Sequence, residues 1–136
     1  MKGVIYILAN ATAVTDLLAN GASSIFEEDA PQGENIPYLI MSSSRNPTNT
    51  YSTTRTDDVE VGVFTYATVQ YTSGSNIGRW EISRAVRSAL ESASAAVYDG
   101  DNIAEIYLQS EDGYVEGEGD NKRYVQDQKY SVFNKL

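Results

Sequence analysis

The sequence predicts an α+β fold: a mixed, mainly antiparallel sheet with helices packed on one face. Three observations carry this. From Val59 to Tyr71 the chain alternates, with Val59, Val61, Val63, Thr65, Ala67 and Val69 on one side and Glu60, Phe64, Tyr66, Thr68 and Gln70 on the other. That is the period of a half-buried strand. Ile82, Val86, Leu90, Ala93 and Val97 instead step by four, four, three and four, the apolar stripe of a helix. The third is the order of elements: helix, strand, strand, strand, helix, strand, strand, which suits helices layered on a sheet. A chain of 136 residues favours one domain, 1–136, and can bury a core without disulfide or metal.

Helical spacing of Ile5, Leu8, Val14, Leu17 and Leu18 predicts a first helix over Val4 to Ala19, with Asn10 able to split it in two. Asn20-Gly21 is the stop, since both residues tolerate positive φ. Ser24 to Glu28 reads as a short strand. In "DAPQGENIPY" Pro31 fixes φ, Gly33 opens conformations closed to other residues, and Pro37 drives Ile36 extended. The segment is therefore a stiff bend delivering a strand from Tyr38 to Arg45. "NPTNTYSTTRTDD", Asn46 to Asp58, reads as a long loop or a flared hairpin tip. After the Val59 to Tyr71 strand and a turn at Ser73 to Asn76, the second helix is expected to reach Val97. Ile103 to Gln109 and Arg123 to Phe133 are the last strands, joined by the acidic loop Glu111 to Asn121.

Nineteen acids against ten bases leave a net charge of −9. Phosphate backbones are held by clustered Lys and Arg, so neither nucleic-acid binding nor an anionic membrane is expected. The N-terminal "MKGVIYILANATAV" imitates a signal peptide, but its apolar run is short for one and far too short to span a bilayer; no leader is expected.

There is no histidine and no cysteine. This excludes Ser-His-Asp and Cys-His sites and the usual zinc sites. Asp57, Asp58 and Glu60, or Asp99 and Asp101, are candidates for carboxylate chemistry, against the blander reading of a solvated acidic surface. Glu116, Glu118 and Asp120 alternate with glycine like a calcium loop, but the ligand run and the closing Glu are missing. "GSNIG" lacks the lysine of a phosphate loop. Arg79, Arg84 and Arg87 are candidates for an anion site, against the favoured reading of a helix face that pairs with acids or stacks on Trp80. The ten tyrosines fit either a protein interface or half-buried strands.

One ordered set of motifs goes further. Ile25-Phe26, Ala30-Pro31-Gln32-Gly33, Pro37-Tyr38-Leu39-Ile40, Asn46-Pro47, the helical Ala85-Val86-Arg87 with Ala89-Leu90, and a last strand with Val125, Asp127, Lys129, Tyr130 and Phe133 span most of the chain. This set resembles the tail-completion proteins of long-tailed bacteriophages, a family related to tail terminators and tail-to-head joining proteins. The chain departs from the pattern in "EGEGDNK" and in Gln126, Gln128 and Ser131, which thin the aromatics of the last strand.

The resemblance implies assembly, with no catalysis and no cofactor. It implies a homo-oligomeric ring of six copies that caps the tail tube, stops its growth and meets the tail tube protein and the head–tail connector. The protein would reside in the tail or neck of the virion, and in host cytoplasm during assembly. The alternatives are a head-completion or neck adaptor of the same particle, or a non-viral calcium-binding or carboxylate-enzyme domain. Within the long hairpin segment, Asn46, Thr48, Tyr51, Arg55, Asp57 and Asp58 are the expected subunit or partner contacts, because Tyr and Arg anchor interfaces and the polar groups beside them pair with backbone.

Overall fold

A computed structural model describes residues 1–46 and 56–135. The chain runs α1 (Lys2–Ala9), α2 (Thr12–Thr15), a 3₁₀ turn (Gly21–Ser24), β1 (Ile25–Glu27), β2 (Tyr38–Asn46), β3 (Thr56–Ala67), α3 (Arg79–Glu91), β4 (Ala96–Tyr98), β5 (Asp101–Glu116), a second 3₁₀ turn (Gly119–Asn121) and β6 (Arg123–Lys135). The strands form one six-stranded sheet in the order β1-β2-β3-β6-β5-β4. β1 and β2 are parallel; the other neighbours are antiparallel. This is the expected α+β class.

The first helical segment splits at Asn10, where the side-chain amide turns back on the Tyr6 carbonyl at 2.9 Å and ends α1. Gly3 lets α1 press on the β4–β5 hairpin. A Cβ there would come within 2.8 Å of the Ile103 side chain, and its N–H donates to Asp101 Oδ2 at 2.7 Å. A carboxylate distant in sequence thus satisfies a first-turn donor of the helix.

α2 ends at Thr15, four residues before the expected Ala19, and other boundaries differ from the sequence reading too. β3 stops at Ala67 because the next carbonyls are needed elsewhere: Val69 and Gln70 accept the N–H groups of Arg79 and Trp80 that open α3. Gly78 permits this approach, since a Cβ there would lie 2.5 Å from the Tyr71 backbone. α3 ends at Glu91, six residues short of Val97. At this end the Ser92 hydroxyl donates to the Ser88 carbonyl, a side-chain bond that competes with the helix, and the Tyr98 hydroxyl donates to the Ser94 carbonyl beyond it. Val97 sits instead in β4, 65% exposed.

β5 runs on through Glu116, so Glu111 to Glu116 is strand and only 117–122 connects to β6. The alternation of Tyr114 and Val115 against Val125 and Tyr124 sustains the pairing. Finally, Asn46 closes β2 opposite Asp58, and Thr56 to Asp58 open β3, so β2 and β3 are a hairpin whose ends are strand.

The core lies between the helices and one sheet face. Leu39, Met41, Val61, Val63, Ile106, Tyr130 and Val132 face Ile82, Val86 and Leu90 of α3 and Val4, Leu8, Val14 and Leu18 of the N-terminal helices. Each such side chain is worth roughly 1.5–3 kcal/mol when fully buried.

Candidate assembly surface

Among the described residues, no helix covers the other face of the sheet. Strand pairing sets its side chains in rows that cross strand after strand. In one row, Tyr38 of β2 opposes Tyr66 of β3, Tyr66 opposes Val125 of β6, and Val125 opposes Tyr114 of β5. Tyr38 and Tyr66 stack with centroids 5.0 Å apart, and Phe26 of β1 meets Tyr38 edge-on at 5.9 Å. Val125, flanked by Tyr66 and Tyr114 in this row, is fully buried on the helix-free face.

A second stack, Tyr107 on Phe133 at 5.7 Å, lies toward the other end. Tyr107 and Tyr114 stay 41% and 37% exposed. Burial pushes the Tyr66 hydroxyl up to about 12, with the Glu116 carboxylate adding to the effect; Tyr38 and Tyr114 are raised chiefly by burial too.

Between the stacks, Asp127 opposes Asp112. Burial raises the Asp127 pKa; Lys129 opposes that, while Asp112 and Glu60 reinforce it. One of its oxygens is buried with no hydrogen-bond partner.

The Ala30-Pro31-Gln32-Gly33 bend folds over the end of this face. With Tyr38, Tyr66, Glu116 and Arg123 it encloses a polar cleft of about 250 Å³. Gly33 adopts φ +80°, which an L side chain rarely takes. Arg123 Nη1 donates to the Tyr38 hydroxyl at 2.9 Å and fixes the wall of the cleft. The bend thus shapes a rim.

A second cleft, about 330 Å³, lies between α3 and the sheet, lined by Trp80, Arg84, Arg87, Glu91, Glu111 and Gln128. Its floor is a polar network. Gln128, fully buried, donates from Nε2 to the Ser83 carbonyl at 3.1 Å and to Glu111 Oε2 at 2.8 Å. Gln126 donates to the other Glu111 oxygen at 2.8 Å. Arg87 pairs with Glu91, one turn on. Arg79 does not stack on Trp80: it lies 5.5 Å over the Tyr124 ring and donates to the carbonyls of Tyr114 and Val125. It clamps β5 to β6.

Of the expected contact residues, Asn46, Asp57 and Asp58 stand where β2 and β3 meet, with Asp57 opposite Asn134 and Asp58 between Asn46 and Phe133. Thr48, Tyr51 and Arg55 lie outside the described residues. Asp101 is committed to α1. Among the described residues, no group of three acids is placed to hold a metal ion, and no helix is long and apolar enough to cross a membrane. The aromatic rows were the missed feature; the spacing of Phe64 and Tyr66 against Tyr38 was the available signal.

A family model for "Tail completion protein gp17" matches residues 2–130. The chain belongs to this family. The match takes in both faces of the sheet and all three helices. A chain in the virion of a native gene transfer agent particle has the same fold: TM-score 0.68 at 11% identity, over 98% of this chain and 92% of that one. No curated protein matches. This tail completion protein is thus a structural component of a phage tail.

Proposed function

We propose that the protein, acting as one domain over residues 1–136, closes the tail tube as a ring of six copies and joins it to the head connector. The observation that carries this reading is the family match over nearly the whole chain. The helix-free face supports it: exposed aromatic rings beside charged residues are the composition of a surface that another protein covers. A net charge of −9 also suits a ring through which DNA slides, because negative walls repel phosphate.

In this reading the segment of Asn46, Thr48, Tyr51, Arg55, Asp57 and Asp58 contacts the next subunit or the tail tube. It is assigned no catalytic role and no cofactor. The test is to replace Thr48 to Thr56 with a Gly-Ser turn. The purified variant keeps its fold by circular dichroism, and particles made with it show tails of uncontrolled length or tails without heads. Normal virions from the shortened protein would overturn this assignment. Cryo-imaging that places the protein on the head side of the joint would favour a neck adaptor instead.

A further inference from the structure

We propose that the free edge of β5, Gln109 to Glu116, pairs in the ring with the free edge of β2, Ser42 to Asn46, of a second copy of this chain. The inference rests on the ring reading above.

β4 covers β5 only at Asp101 to Ile103. Beyond it, the Glu91 carboxylate takes the Leu108 N–H at 3.3 Å. From Gln109 to Glu116 every residue is exposed, and among the described residues no strand lies on that side. The Gly113 N–H is met by the side chain of its neighbour Asp112 at 3.0 Å, a local stand-in for a strand partner. At the opposite half of the sheet, β1 pairs with β2 at Leu39, Ile40 and Met41, and among the described residues no strand lies beside Ser42 to Asn46 on that side. An exposed strand edge is a template for another chain.

Two features choose the occupant. The first is symmetry. A ring closes through two different surfaces of one subunit, so that each copy gives one and receives the other. The free stretches of β5 and β2 are such a pair, at opposite borders of one sheet. The second is charge. Gln109 to Glu116 contains Glu111, Asp112 and Glu116 and no base, whereas Tyr38 to Asn46 contains Arg45 and no acid. Two β5 edges brought together would set acid against acid, which opposes a symmetric dimer. A β5 edge against a β2 edge meets no such repulsion, and the sheet continues from subunit to subunit.

The chain has no cysteine, so introduced thiols report cleanly. In Ser44→Cys/Asp112→Cys both positions face away from the helices, on strands separated by two others. Three strand spacings alone separate them by about 14 Å within one copy, and they also sit in different rows, too far for an internal disulfide, which needs Cα atoms within about 7 Å. Ser42→Cys/Asp112→Cys covers a register shifted by two residues.

After mild oxidation of the assembled protein, one of the two variants gives a ladder of covalent oligomers that ends at the ring's own size. Asp112→Cys alone stays unlinked. If light scattering shows a ring and neither double variant gives a ladder, the edges are not partners; the ring stands and this proposal falls. Efficient dimers from Asp112→Cys alone would also overturn it. A protein that is never a ring, in solution or in particles, overturns the ring reading and this pairing with it.

Discussion

On the helix side of the sheet, β3 presents Val59, Val61, Val63 and Ala67, and all are buried. On the other side the same strand presents Glu60, Phe64 and Tyr66, all half-exposed. One face holds the monomer together by removing aliphatic surface from water. The other keeps aromatic rings partly wet, with charged residues between them. The contrast teaches that a single strand can carry stability and assembly at once, because its side chains alternate.

The largest break in that contrast comes from charge on the inner face. Val63→Asp buries a carboxylate with no partner and should cost about 4 kcal/mol or more. Tyr66→Ala, three residues on and facing out, should cost about 1–2 kcal/mol, the loss of one half-exposed ring and its stack on Tyr38. Urea unfolding of both variants checks this. Equal losses would mean the two faces are not different in kind.

A smaller effect tests the polar floor beneath α3. Glu111→Ala takes the carboxylate acceptor from the Gln126 amide and leaves Gln128 only the Ser83 carbonyl, and should cost about 1–3 kcal/mol. Glu111→Gln, which keeps an acceptor oxygen, should cost less. The order of the two melting temperatures decides whether Glu111 acts inward as well as at the strand edge.

The smallest effect belongs to Asp127. Burial, Asp112 and Glu60 raise its pKa against the pull of Lys129. The stability linked to this group is therefore fully present below the ordinary value of 3.8 and lost as pH rises through the folded pKa. At neutral pH the ionised carboxylate is a net cost. Asp127→Asn should raise the melting temperature at pH 7 by about 1–3 °C, with the difference closing as pH falls toward 3. A lower melting temperature for Asp127→Asn at pH 7 would show that the carboxylate is needed as a partner of Lys129.

Much of the fold was legible because some signals are local. The alternation of β3, the stripe Ile82, Val86 and Leu90, the break at Asn10 and the left-handed Gly33 each depend on a few neighbouring residues. The β4–β5 turn was legible in principle: Asp99 and Gly100 both take positive φ, the signature of a two-residue hairpin. It was hidden because Val97 also continued the helical stripe. Of the assembly surface, the acids and aromatics were visible as residue types, but not their alignment across β2, β3, β6 and β5, which depends on register.

The sequence by itself determined the α+β class, the family, the core face of β3 and the absence of histidine and cysteine chemistry, since each follows from composition, short-range period or an ordered set of motifs. Only the tertiary structure decided where α3 yields to β4, how far β5 runs, that Glu111 serves two buried glutamines and that Asp101 meets α1. Those outcomes rest on partners far away along the chain. A backbone donor or a buried amide is satisfied by whatever the fold brings beside it, and no local pattern announces which residue that will be.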